Sequence, residues 1–176
     1  MSLEGSINTM PMPDIRDQVD RLLSAPKELA GATVWHLGPR TGQVKWKAPL
    51  LLTGEVLNMD LIAIAYPHMP MLTFTLLVTF EDVPVSRLDY SESEEHNNGL
   101  IVPPNVDRWK ITGPHLHRWQ DNRGLATHAT LPEELEYAVP IPSPARGFPN
   151  AFRWFCGEHK ITLTDIPEYP GSELLL

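Results

Sequence analysis

The sequence predicts an α+β domain, an antiparallel β-meander sheet with an N-terminal helix and a short C-terminal helix. Three observations carry that prediction. Ile15, Val19, Leu22 and Leu23 recur at i, i+4, i+7 and i+8, the spacing of one helix face. From Thr33 to Tyr90 the apolar period falls to two, the signature of half-buried strands. Phe148, Phe152 and Phe155 then return at helical spacing.

In chain order, residues 1–12 are a Pro- and Met-rich lead-in, expected to be disordered or tag-derived, and 13–165 form a single domain. Asp14 is placed to cap the first helix. Ser24 and Pro26 predict a second helical turn through Lys27 to Ala30, ended by Gly31. Thr33–Leu37 and Gln43–Leu52 read as strands joined by the turn 38–42. In Val56–Tyr66, Leu57, Met59, Leu61, Ala63 and Ala65 share one face, with Asn58 and Asp60 on the other. Pro67 and Pro70 make the next stretch a connection, since each removes a ladder donor. Leu72, Phe74, Leu76, Val78 and Phe80 alternate with threonines in a further strand, and Glu81-Asp82 turn the chain into Val83–Tyr90.

Periodicity is lost between Ser91 and Asp107, which predicts a long loop of the functional or mobile kind. Trp109–Trp119 resumes as a strand, Leu131–Tyr137 as a helical turn, and Ala138–Pro142 as extended chain. Ile161 and Leu163 suggest an edge strand, and 166–176 a tail lying loosely over the surface.

Composition narrows the function classes. Fourteen Lys and Arg against twenty-two Asp and Glu give a formal charge of −8, which opposes broad nucleic-acid binding. No apolar run reaches the ~18 residues a membrane helix needs, so no membrane partner is expected. The single Cys156 excludes an internal disulfide and a thiolate zinc site, which points to the cytoplasm. Its aromatic neighbours suit a buried small hydrophobe rather than a nucleophile. No hydrolase elbow, phosphate loop or dinucleotide fingerprint occurs, and no cofactor is expected. The five Trp are scattered, as core and rim packing would place them.

The segment that concentrates chemistry is Gly113-Pro114-His115-Leu116-His117-Arg118-Trp119. Strand alternation puts His115, His117 and Trp119 on one face and Leu116, Arg118 and Gln120 on the other, with the two imidazoles about 7 Å apart at Cα. Such a pair can share an ion, a phosphate or a proton path. His96, His128 and Asp121 are the candidates for a third group. Packing on a half-exposed strand is the commoner fate of such histidines; a metal-free acid–base or anion-binding role comes next, and no residue is assigned as a metal ligand. Arg108, Lys110, Arg118 and Arg123 make this stretch locally cationic, which suits a phosphate, although internal pairing with the acidic residues explains it more simply.

The motif order Arg87-Leu88-Asp89, His96-Asn97-Asn98, Gly113-Pro114-His115-Leu116-His117, Ala138-Val139-Pro140-Ile141 resembles an uncharacterised family of small bacterial and phage proteins. It covers roughly residues 71–163, and more distantly it resembles toxin components of toxin–antitoxin modules. Insertions at 99–111 and 121–136 depart from the pattern. The resemblance implies that His96, His115 and His117, as catalytic groups, converge with Arg87 and Asp89 at one end of the sheet. Arg87, Asp89 and Arg118 are the expected ligand-binding residues. The function expected is an accessory protein of a mobile or phage-derived element that binds a small anionic ligand or a nucleic-acid end. The alternatives are a protein-interaction or homo-oligomeric module, for which the sheet edges and Leu174-Leu175-Leu176 are the basis, and a metal-dependent hydrolase.

Overall fold

The computed structural model describes residues 13–31, 34–104, 106 and 110–171. The Asp14 carboxylate accepts the Arg16 amide at 2.9 Å and starts helix α1 (Ile15–Ser24). The chain then enters β1 (Lys27–Leu29) instead of the predicted helical turn. Pro26 forces its predecessor out of the helical region: Ala25 lies at φ −77°, ψ 145°. The extended chain beyond it pairs with a strand at the far end of the sequence. The carbonyls freed at the end of α1 are taken by Lys27, whose Nζ donates to Leu22 and Ala25 at 2.7 Å and to Leu23 at 3.2 Å.

The meander follows as β2 (His36–Leu37), β3 (Val44–Leu52), β4 (Glu55–Ala65), β5 (Phe74–Phe80) and β6 (Val83–Tyr90). Each pairs antiparallel with the next. The turn from β5 to β6 places Glu81 and Asp82 at φ 51° and 64°, a conformation disfavoured for most side chains. β2 is shorter than predicted, and Thr33 falls outside the described residues.

The predicted loop after Ser91 holds β7 (Glu95–Asn97), which pairs with β8 (Lys110–Thr112) as a separate two-stranded sheet. The single strand predicted from Trp109 to Trp119 is in fact β8, a corner, and β9 (His115–His117); Trp109 itself lies outside the described residues. Gly113, at φ +89°, and Pro114 make the corner. A Cβ at Gly113 would meet nothing closer than 3.8 Å, so the backbone conformation, rather than space, asks for glycine. Trp119 opens helix α2 (Trp119–Asn122) and donates its indole N–H to Asp20 at 2.7 Å, so it leaves the histidine face where alternation had put it.

Leu131–Tyr137 forms no helix. Its backbone end is held by side chains: Asn122 bonds both the N–H and the C=O of Tyr137 at 2.8 Å, and Asn98 does the same for Ala138 at 2.7 and 2.9 Å. β10 (Val139–Pro140), α3 (Phe148–Glu158) and β11 (Ile161–Thr162) complete the chain.

The main sheet runs β10-β9-β6-β5-β4-β3-β1-β11, with β2 on β3. It is antiparallel except for β1 and β11, the two ends of the domain, which run parallel. Both terminal edges are two-residue strands, which offer a partner chain little ladder. α3 packs its aromatic stripe on one face: Phe152 meets Trp46 edge-on at 5.6 Å, and Phe148 meets Phe74 at 5.0 Å. Tyr169 joins this cluster and donates to Thr73 O at 3.0 Å, so the chain to that point is packed rather than loose; 172–176 lie outside the described residues. Leu88 and Leu116 belong to the same core. No described helix is long and apolar enough to cross a membrane.

Candidate functional site

The register of β6 and β9 builds the site. His115 pairs with Asp89, Leu116 with Leu88 and His117 with Arg87. Cross-strand partners share a face, and the two leucines point into the core. Arg87, Asp89, His115 and His117 therefore stand together on the opposite face. β7 lies against them, with the His96 ring 5.0 Å from that of His115 and 4.7 Å from that of His117; His115 and His117 are 5.2 Å apart. One ring nitrogen from each of the three lies within 4.8 Å of the others.

Hydrogen bonding assigns the ring protons. His115 Nδ1 is 2.9 Å from Gly113 O, an acceptor only, so Nδ1 carries the proton and Nε2 the lone pair. His96 Nε2 faces Glu136 O at 2.9 Å and Asn98 Oδ1 at 3.0 Å, so the proton is on Nε2 and the lone pair on Nδ1. The Asn98 amide orientation is itself set by its two bonds to Ala138. His117 Nε2 is 2.9 Å from Arg87 Nη2 and 3.5 Å from Asp89 Oδ2. The closer group is a donor, so Nε2 accepts from Arg87. The proton then sits on Nδ1, which is buried without a partner among the described residues.

Electrostatics hold two of these rings, His117 and His96, toward the neutral form. Burial lowers His117 to about 4 against the pull of Asp89, and Arg87 adds to the lowering. Burial and the neighbouring His115 lower His96 as well. Burial pushes Asp89 upward, but its contact with His117 and the charge of Arg87 outweigh this and hold it at about 2. Asp89 Oδ2 receives Arg87 Nε at 2.6 Å, and Oδ1 receives the Thr75 hydroxyl at 3.0 Å. The site is thus one mutually neutralising Arg–Asp pair beside three clustered imidazoles, of which His117 and His96 are held toward the neutral form. His115 and His117 are 1% and 0% exposed, not half-exposed as the sequence predicts. Access is from the side of His96 and of Arg87, whose side chain is 33% exposed.

The structure brings together His96, His115, His117, Arg87 and Asp89. Arg118 stands apart: it follows β9 as the residue before α2, and its Nε bonds Asp121 Oδ2 at 2.5 Å. His128 is exposed and Asp121 is buried against Arg118, so neither joins the imidazoles. The local cations are paired internally, Lys110 with Glu95 and Arg123 with Asp17 and Asp20; Arg108 lies outside the described residues. Cys156 is buried, and burial pushes its thiol up to about 12, which leaves no thiolate for chemistry.

Sequence reasoning missed the groups that orient the rings, the carbonyls of Gly113 and Glu136 and the Asn98 amide, and the Thr75 hydroxyl that holds Asp89. Backbone carbonyls carry no residue signature, and Thr75 meets Asp89 only through strand register. Replacing Asn98 by alanine is expected to strip a buried N–H and C=O of their partners, which costs about 2 kcal/mol and lowers the melting temperature by about 4–8 °C. Calorimetry checks it; an unchanged melting temperature refutes the role.

No family model matches the chain, and no curated protein or solved structure matches it.

Proposed function

We propose that this protein works through a divalent transition-metal ion of the zinc class, held by His96, His115 and His117. One observation supports this above the rest: three imidazoles from two sheets converge, each with one nitrogen within 4.8 Å of the others. Metal ligation needs unprotonated imidazole, and the lowered titration of His117 and His96 supplies it. Carbonyls on the far nitrogens of His96 and His115 are the outer partners that fix ring orientation in metal sites. Nitrogens around a tetrahedral ion at 2.0–2.1 Å stand about 3.3 Å apart, so the rings draw in by about 1–1.5 Å on binding.

An anion pocket lined by charged histidines accords less well with these observations, because burial disfavours the imidazolium. Three protein nitrogens leave a coordination position for an outside ligand, as in hydrolytic zinc centres, which favours the metal-dependent hydrolase among the readings of the sequence. An accessory role in a mobile or phage-derived element rests on the motif order, and a cytoplasmic location on the single, unpaired Cys156.

The test is elemental analysis after dialysis against micromolar zinc and removal of the unbound ion. About one zinc per chain is expected, and none after chelation. A folded protein that takes up no zinc, cobalt or nickel overturns the reading.

A further inference from the structure

We infer that uptake of the ion releases Arg87 from His117 and turns its guanidinium into a clamp for a phosphate group, so that ion and phosphate bind cooperatively. This rests on the metal reading above and adds its ligand class and its coupling.

One lone pair couples the two sites. A neutral imidazole has a single ring lone pair, and in His117 it accepts the Arg87 Nη2–H at 2.9 Å. An ion that binds Nε2 takes that lone pair directly. An ion that binds Nδ1 requires the proton to move to Nε2, which then cannot accept. By either nitrogen, Arg87 Nη2 loses its acceptor. The Nε–H to Asp89 Oδ2 contact at 2.6 Å stays available, so the guanidinium keeps its anchor while its outer end turns away. Arg87 has the room for this, since its side chain is a third exposed while both strand histidines are sealed.

Charge decides what the freed end meets. Before uptake, Arg87 and Asp89 cancel each other; afterwards the ion adds a divalent charge to a site largely closed to water. A charge in that setting interacts far more strongly than in bulk water and calls for an anion. Phosphate supplies negative charge for the ion and paired oxygens for the planar fork of the guanidinium. Linkage then requires phosphate to tighten zinc by the same factor that zinc tightens phosphate.

Titration calorimetry of inorganic phosphate into zinc-loaded and zinc-free protein, with unbound zinc removed beforehand, tests this on the unaltered chain. At least about tenfold tighter phosphate binding is expected with zinc present. Arg87→Gln should remove most of that gain and Arg87→Lys should retain part of it, with zinc uptake preserved in both. A parallel titration with a 5′-phosphorylated dinucleotide separates the two sources of the group: equal or tighter binding identifies a terminal phosphate on a larger ligand, and weaker binding identifies free phosphate. Equal phosphate affinity with and without zinc overturns the inference and leaves the metal reading standing; so does an undiminished zinc-dependent gain in Arg87→Gln. A protein that takes up no zinc overturns both.

Discussion

Replacing His115 and His117 together by alanine is expected to abolish zinc uptake, from about one ion per chain to none at micromolar metal. Loss of an outer partner of a ligand commonly weakens metal binding by about 10–100-fold, and loss of two ligands goes well beyond that. The fold has reason to survive. Leu116, between the two, remains in the core, and the β6–β9 ladder is made by backbone groups. Circular dichroism and the melting temperature establish that the variant is folded before metal is counted. A folded double variant that retains stoichiometric zinc would show that the imidazoles are not its ligands.

Lys27→Met is expected to cost about 3 kcal/mol and to lower the melting temperature by about 10 °C. The ammonium, 1% exposed, donates to three carbonyls at the end of α1, and methionine fills a similar volume without a donor. The same lysine predicts a pH dependence whose sign is set by its environment. Burial, with a contribution from Lys160, lowers it from 10.5 to about 8. Between those two values the unfolded chain holds a proton that the folded chain has lost, so the stability contributed by this group rises with pH there. Urea denaturation of both proteins between pH 8 and pH 10 checks it: the stability difference between wild type and Lys27→Met should widen. A constant difference would mean that Lys27 stays charged in the folded protein, held by its carbonyls.

Local pattern reached the strands and the helices at the two ends. Alternation in Leu72–Phe80 and the spacing of Phe148, Phe152 and Phe155 are imposed by one buried face, so each can be read from neighbours in the chain. Pro26 shows the opposite case. The residues after it favour a helical turn by propensity, but the strand they form exists because Ile161 and Thr162 arrive beside them from more than 130 positions away. Leu131–Tyr137 also yields to partners elsewhere in the chain: Asn122 holds its last residue, and Asn98 holds Ala138 just beyond it.

The site divides along the same line. Chain order alone determined that His115 and His117 share a face, because a strand alternates side chains whatever surrounds it. Only the tertiary structure decided that Arg87 and Asp89 are their cross-strand partners, that His96 comes over them from a second sheet, and that Arg118 turns away to Asp121. Those relations depend on strand register and on how a corner at Gly113 folds one strand into two, and neither is carried by residue spacing. Whether the rings are charged was likewise a tertiary matter, since burial sets it and burial belongs to the assembled fold.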